Sequence, residues 1–147
     1  MTELAGRVLA LDPGRVRIGL ALSDPTRTLA QGLPTLSSRG REKDLESLAA
    51  LAVEREVALI VVGCPTNLDG SRSTMTDHAE RLAADLGERT GLPVELWDER
   101  LSSAQAERTL IEGGVRREDR RGAVDRVAAV LILQGFLDSS SLARSRT

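Results

Sequence analysis

The sequence predicts an α/β fold in which a mixed sheet carries helices on both faces. Two short apolar runs come first, and the turn pair Pro13-Gly14 separates them closely enough to favour an antiparallel hairpin. After this hairpin, helical and apolar strand patterns alternate, which is typical of parallel strands joined by helices. The chain has 147 residues, of which 41% are hydrophobic and 29% charged. This length and composition indicate one soluble globular domain.

Three strands are predicted near the amino terminus. Arg7 to Leu11 is an apolar run of the kind found in buried strands, and Arg17 to Ser23 is the second arm of the hairpin. A further short strand is expected near Leu33 to Leu36. These segments should form the antiparallel part of the sheet.

The middle of the chain predicts alternating helices and strands. Arg41 to Glu56 and Thr76 to Arg89 are helical by the spacing of their apolar residues, and the charged residues of the first helix are expected on the face opposite to its apolar one. Val57 to Val62 is a continuous apolar run, which is typical of a strand covered on both faces, and Val94 to Glu99 is a further strand that is also expected to be buried. The Gly, Pro, Asn and Asp content of Gly63 to Gly70 indicates a loop between the first of these strands and the second helix.

The last third of the chain predicts two more helices. One begins at Ser102, with Gln105 as its capping-box partner, and ends at Gly113-Gly114. A basic loop follows over residues 115–122, and the final helix is expected over residues 123–138. We therefore expect one domain over residues 1–138 and a flexible tail over residues 139–147.

Composition excludes several classes of site. Aromatic residues make up only 1% of the chain, which argues against a base-stacking platform, and the net charge is −2. Cys64 is the only cysteine, which rules out an internal disulfide or a cysteine-based zinc site. His78 is the only histidine, and it is expected on the surface of its helix. No signal peptide or membrane-spanning apolar stretch is seen, so a cytoplasmic protein without a membrane partner is expected.

Acidic residues mark three points of the predicted core. Asp12 ends the first apolar run, Asp98 and Glu99 end a later one, and Asp125 opens the last helix. Each taken alone is explained by a turn, a solvated strand end or a favourable helix terminus. If they converge, they repel each other, and Mg²⁺ or Mn²⁺ bound between them would relieve that repulsion. The combination therefore predicts a metal-dependent phosphodiester nuclease.

Only one carboxylate of the Asp98-Glu99 pair can face a shared site, because successive side chains of a strand point to opposite sides. The sequence leaves both open, and Glu99 is preferred for its longer reach. The predicted catalytic and metal-binding residues are thus Asp12, Glu99 and Asp125, with Asp98 as the less favoured ligand.

The chain resembles the YqgF-type proteins of the RNase H-like superfamily. The segments that carry the resemblance are Leu9–Gly14, Arg17–Ala21, Val62–Pro65, Asn67–Gly70, Trp97–Ser102 and Val124–Gln134. The resemblance implies a five-stranded mixed sheet flanked by helices, with Asp12, Glu99 and Asp125 as metal ligands at its centre. It also implies a nuclease of pre-ribosomal RNA or of Holliday junctions.

Polar and basic residues near these acids are candidates for contacts with the nucleic-acid backbone. Arginine suits phosphate because its guanidinium donates two parallel hydrogen bonds. Solvated loops and local ion pairs are the alternative for each of them. The candidates are Arg15, Arg17, Asn67, Arg72, Arg100, Arg116, Arg117, Arg120, Arg121 and Arg126.

The leading functional hypothesis is hydrolysis of structured RNA at the 5′ end of pre-16S rRNA, in ribosome biogenesis. Its alternative is a Holliday junction resolvase-like DNA endonuclease in recombination and repair, which would need a homodimer for two symmetric cuts, whereas a monomer favours RNA processing. A sugar kinase or ATPase would require a second large domain, for which the chain has no room. A nucleic-acid-binding module without catalysis is the remaining class.

Overall fold

The computed structural model describes residues 6–14, 16–64, 73–98 and 127–139. Within them, five strands form one mixed sheet in the order β3-β2-β1-β4-β5. The strands are β1 (Arg7–Pro13), β2 (Arg17–Ser23), β3 (Ala30–Ser37), β4 (Val57–Cys64) and β5 (Val94–Asp98). The helices are α1 (Arg41–Glu54), α2 (Thr74–Thr90) and a C-terminal helix that is helical over residues 127–139.

The first strand lies at the centre of the sheet. It pairs antiparallel with β2, with Leu11 opposite Leu20, and parallel with β4, with Leu11 opposite Val62. The outer pairs are β2 with β3, which is antiparallel, and β4 with β5, which is parallel. The mixed five-stranded sheet predicted from the sequence is therefore confirmed.

Both faces of the sheet are covered, because the central strands are apolar on both sides. The face that we call the α1–α2 face includes Leu9, Leu11, Ile18, Leu20, Ile60, Val62, Leu48, Leu82 and Leu86. The opposite face, which we call the C-terminal-helix face, includes Val8, Ala10, Ala21, Leu59, Val61, Ala129, Ile132, Leu133, Phe136 and Leu137. Alternation along each strand sends neighbouring residues to different cores.

The helices that pack on the α1–α2 face begin with local hydrogen bonds. The carboxylate of Asp44 in α1 accepts from the Ser38 hydroxyl at 2.6 Å and from the Arg39 backbone N–H at 2.9 Å. The helix α2 begins with a capping box in which the side chains and backbones of Ser73 and Thr76 bond reciprocally. It ends at Gly91, whose φ of 71° is the left-handed conformation that glycine adopts readily.

The strands β1, β4 and β5 are parallel and end at one edge of the sheet, which we call the carboxyl edge. The strand β3 runs in the same direction, so α1, which follows it, also begins there. The end of α2 lies at the opposite edge, because Gly87 lies near Val94 at the start of β5. The helix α2 is about 25 Å long, since each residue adds about 1.5 Å. Its beginning therefore lies near the carboxyl edge.

Several predicted boundaries are corrected. Gly63 and Cys64 belong to β4 and pair with Trp97 and Asp98, whereas the sequence placed them in a loop. The strand β5 is an edge strand with Leu96 45% exposed, so the prediction of a buried strand was wrong there. Asp44, expected on the charged side of α1, is buried.

The predicted helix that begins at Ser102, the predicted basic loop over residues 115–122 and most of the predicted tail lie outside the described residues. The division into a domain and a tail therefore stays a prediction. In the part of the chain that the structure describes, no helix combines the length and the apolar character needed to cross a membrane.

Candidate active site

Asp12 lies near the end of β1, where the central strand reaches the carboxyl edge. It is half-buried, and it follows Val8 and Ala10 at intervals of two residues. Both of those residues belong to the core on the C-terminal-helix face. Alternation therefore directs the Asp12 carboxylate to this face of the sheet.

Glycines occupy the positions beside Asp12 on the neighbouring strands. Gly19 of β2 is its paired residue. On the other side, Leu11 pairs with Val62, so Gly63 of β4 is in line with Asp12. Neither glycine carries a side chain, so the neighbouring strands place no side chain of their own directly beside the carboxylate. Sequence reasoning missed this role, although a glycine inside an apolar strand is a signal of close approach by another group.

A tight turn links Asp12 to the start of β2. The Gly14 N–H donates to the Arg17 carbonyl oxygen at 2.9 Å. A Cβ at Gly14 would lie 2.5 Å from the same oxygen, so this turn admits only glycine without rearrangement. The turn therefore holds Arg17, a predicted phosphate contact, close to Asp12.

At the end of β5, Trp97 and Asp98 lie on opposite faces of the sheet. Asp98 pairs with Cys64, which packs against the core on the α1–α2 face, so Asp98 lies on that face. Trp97 packs against the opposite core and shares the face of Asp12. The structure therefore does not bring Asp98, the less favoured metal ligand, onto the face of Asp12.

The C-terminal helix contacts the two outer strands of the sheet, β5 and the beginning of β3. The Trp97 and Phe136 rings meet edge to face, with centroids 5.9 Å apart and planes at 89°. The Trp97 ring also lies 3.6 Å from the point where a Cβ at Gly135 would be. Gln134 accepts from the Ala30 N–H at 3.1 Å and donates to the Thr28 carbonyl at 3.2 Å.

These contacts position the C-terminal helix. Ala30 pairs with Ser23, whose hydroxyl accepts from the Val8 N–H, so Gln134 lies near the edge where β1 begins. Ile132 and Ala129 are fully buried, and the later residues Phe136 and Leu137 are almost fully buried. The described part of the helix therefore packs across the C-terminal-helix face of the sheet.

The beginnings of α1 and α2 lie at or near the carboxyl edge. Helix amino termini carry partial positive charge from unpaired backbone N–H groups. Both helices pack on the α1–α2 face, so this partial charge lies on the side of the sheet opposite to the Asp12 carboxylate.

The remaining predicted site residues lie outside the described ranges. These are Glu99 and Asp125, together with Arg15, Asn67, Arg72, Arg100, Arg116, Arg117, Arg120, Arg121 and Arg126. Among the described residues alone, no three His, Cys, Asp or Glu side chains group closely enough to hold a metal ion. A metal site therefore requires the further carboxylates predicted from the sequence.

His78 lies away from this site, between α1 and α2, and is half-buried rather than on the surface as predicted. Its Nδ1 lies 3.2 Å from a guanidinium nitrogen of Arg41, which also pairs with Asp85 at 3.1 Å. Burial lowers the pKa of His78, and the positive charges of Arg41 and Arg81 lower it further. This histidine links the two helices and has no place in the Asp12 site.

The family model described as "RuvX: Holliday junction resolvase" matches residues 6–139. A protein of Koribacter versatilis (strain Ellin345) named "Putative pre-16S rRNA nuclease" is 46% identical over 139 residues, covering 95% of this chain and 91% of that protein. A protein of the same name from Anaeromyxobacter sp. (strain Fw109-5) is 49% identical over 132 residues, covering 90% and 96%.

Solved structures share the fold at low sequence identity. T. thermophilus RuvC in complex with a Holliday junction substrate has a TM-score of 0.60 at 14% identity, with 92% of this chain and 96% of that chain covered. Fowlpox virus resolvase in complex with Holliday junction DNA has a TM-score of 0.56 at 10% identity, with 90% and 97% covered. These likenesses show the RNase H-like fold that the sequence predicted.

Proposed function

Because the chain belongs to the RuvX Holliday junction resolvase family, we propose that it is a metal-dependent nuclease that hydrolyses phosphodiester bonds beside Asp12. The observation that carries this proposal is the place of Asp12, half-buried at the end of the central strand with glycines on both sides. As substrate we propose the 5′ end of pre-16S rRNA, because two relatives named "Putative pre-16S rRNA nuclease" are 46% and 49% identical to the chain.

Glu99 is the proposed second ligand. Asp98 lies on the face opposite to Asp12, and side chains of an extended strand alternate. Glu99 is the next residue, and its Cα is about 3.8 Å from that of Asp98 whatever the backbone conformation. The geometry of β5 therefore supports Glu99 over Asp98, for a reason independent of its longer side chain.

Asp125 is the proposed third ligand. It precedes Val127, in the first described turn of the C-terminal helix, by two residues. Two residues of extended chain span at most about 7 Å, which keeps Asp125 within that distance of Val127. We infer that this helix begins at the carboxyl edge, as the resemblance to the RNase H-like superfamily implies, which would bring Asp125 close to Asp12.

The donor set fits a hard divalent cation, since carboxylate oxygens are the ligands of Mg²⁺ and Mn²⁺. When bound, such a cation lowers the pKa of coordinated water and neutralises charge on the scissile phosphate. Asp12, Glu99 and Asp125 would hold it. Arg17 would orient the substrate by hydrogen bonds to a phosphate near the cleaved bond.

Cleavage of four-way DNA junctions is the second candidate. Two observations favour it, the description of the family and the likeness in fold to junction resolvases. Two symmetric cuts require two active sites, so this activity predicts a homodimer, whereas trimming of an RNA end proceeds in a monomer.

Purified protein incubated with Mg²⁺ or Mn²⁺ on pre-16S rRNA and on a synthetic four-way junction tests these alternatives directly. We expect cleavage of the RNA near its mature 5′ end and little cleavage of the junction. Preferential, symmetric cleavage of the junction by a dimer would replace the RNA proposal. Failure to cleave either substrate with either metal would contradict the nuclease assignment.

Two matched variants test the site itself. Asp12→Asn keeps the side-chain volume and removes a charged ligand, so cleavage should fall at least about 100-fold, the scale of losing one main electrostatic contribution to catalysis. Asp98→Asn makes the same chemical change on the opposite face, and should retain nearly full activity. Equal activity of both variants would contradict the proposed ligands.

A further inference from the structure

A polar strip lies beside Asp12 on the same face of the sheet, over the carboxyl-edge ends of β2 and β3. Arg17 begins β2 and pairs with Ser37 at the end of β3. The next residue, Ile18, belongs to the core on the α1–α2 face. Alternation therefore directs Arg17 and Ser37 to the face of Asp12.

Arg39 continues this strip beyond the end of β3. The Ser38 N–H donates to the Val16 carbonyl at 2.8 Å, so the chain stays paired with the hairpin for one more residue. The Ser38 hydroxyl points towards α1, where it donates to Asp44. Arg39 follows, two residues after Ser37, and is exposed at the carboxyl edge.

The backbone of Arg39 is held firmly although its side chain is exposed. Its N–H donates to Asp44 at 2.9 Å, and this carboxylate is only 7% exposed. Gly40 follows with a φ of 104°, a conformation that glycine accepts without strain, and turns the chain into α1. The loop thus presents an arginine at a fixed place on the carboxyl edge.

The charge of Arg39 is directed outwards. Among the described residues, its guanidinium makes no hydrogen bond or ion pair. The nearby acids are already engaged, since Asp44 accepts from Ser38 and from the Arg39 backbone, and Glu42 bonds to Arg89. Arg39 therefore resembles a contact residue whose partner is another molecule.

We infer that Arg17 and Arg39 bind successive phosphates of a nucleic-acid strand that passes from Asp12 across β2 to β3. This inference rests on the proposed function. Ser37 lies two strands away from Asp12, which is about 10 Å across the sheet. It also lies two residues, or about 7 Å, farther along the strand direction towards the carboxyl edge. The strip therefore extends outwards from the proposed cleavage site, Arg17 nearer to it and Arg39 farther away.

Binding without cleavage tests the strip separately from catalysis. Fluorescence anisotropy with labelled pre-16S rRNA fragment and labelled four-way junction, both in EDTA, would compare wild type with Arg39→Ala. The control is Arg55→Ala, because Arg55 is also an exposed arginine without a side-chain partner among the described residues. It lies between α1 and β4, at the edge of the sheet opposite to Asp12.

Loss of one phosphate contact should weaken binding and also reduce its salt dependence. One contact to a duplex contributes about 0.9 to the slope of log affinity against log salt, so raising salt from about 50 mM to about 200 mM should cost the wild type about 3.5-fold more affinity than Arg39→Ala. Arg55→Ala should keep the wild-type slope. Arg17→Ala should behave like Arg39→Ala.

Wild-type affinity and slope in Arg39→Ala, with binding by the wild type intact, would overturn this inference and leave the proposed function standing. Absence of binding by the wild type to either nucleic acid would overturn both. A reduced slope in Arg55→Ala equal to that in Arg39→Ala would show diffuse electrostatic attraction and would also overturn the inference.

Discussion

The turn after Asp12 provides a sharp test of how the site is held. Gly14→Ala would place a Cβ 2.5 Å from the Arg17 carbonyl oxygen, a backbone atom that cannot rotate away. The turn must open, which strains the packing and weakens the 2.9 Å hydrogen bond from Gly14 to that oxygen. Strain of about 1–3 kcal/mol and a lost hydrogen bond of about 1 kcal/mol predict a destabilisation of about 2–4 kcal/mol.

The same substitution at Gly87 is the matched control. A Cβ there would lie 3.7 Å from the Val94 side chain and 4.0 Å from the Leu92 carbonyl oxygen, which are ordinary contacts. Gly87 lies inside α2, where alanine is favoured over glycine, so Gly87→Ala should stabilise the fold by about 0.5–1 kcal/mol.

Urea unfolding followed by circular dichroism measures both variants. Because Gly14 holds Asp12 and Arg17 together, Gly14→Ala should also lose cleavage activity at urea concentrations where it is still folded. A Gly14→Ala variant as stable as wild type, or a Gly87→Ala variant that is the less stable of the two, would refute this account of the turn.

Two further predictions concern the layers on either face of the sheet. Leu133→Ala should lower the unfolding free energy by about 2–5 kcal/mol, because Leu133 of the C-terminal helix is 0% exposed and packs against the sheet. The matched substitution Leu131→Ala should lower it clearly less in the same urea experiment, because Leu131 is only half-buried. His78 has a folded-state pKa below 6.5, so protonation favours the unfolded chain and stability should fall as the pH drops below that value. His78→Gln should remove this part of the pH dependence between about pH 7.5 and about pH 5.5, and an unchanged pH profile would exclude the histidine as its source.

Much of the fold follows from local pattern. The limits of β2 agree with the prediction because turn residues flank a short apolar run. The strand β1 extends to Pro13, beyond the predicted end at Leu11, because Pro13 still pairs with Ile18. Such extensions depend on the neighbouring strand, which a local pattern does not contain.

The candidate site was predictable in part. Asp12 is identifiable from the sequence because burying a carboxylate at the end of a core strand costs desolvation free energy unless a partner or a metal ion offsets it. The face of Asp98 depends on its pairing with Cys64, and the strip at Arg39 depends on the bond between Ser38 and Val16. These contacts join residues far apart in the chain, so alternation could be applied to them only once the register was known.

The central claim is that Asp12, Glu99 and Asp125 share a divalent cation on the C-terminal-helix face of the sheet. Crystals soaked in Mn²⁺ and measured at the manganese absorption edge would locate the ion directly. We expect an anomalous peak within about 2.0–2.5 Å of carboxylate oxygens from all three residues. A Mn²⁺ ion bound by Asp98 instead of Glu99, or no ion at Asp12 under conditions that support cleavage, would contradict the claim.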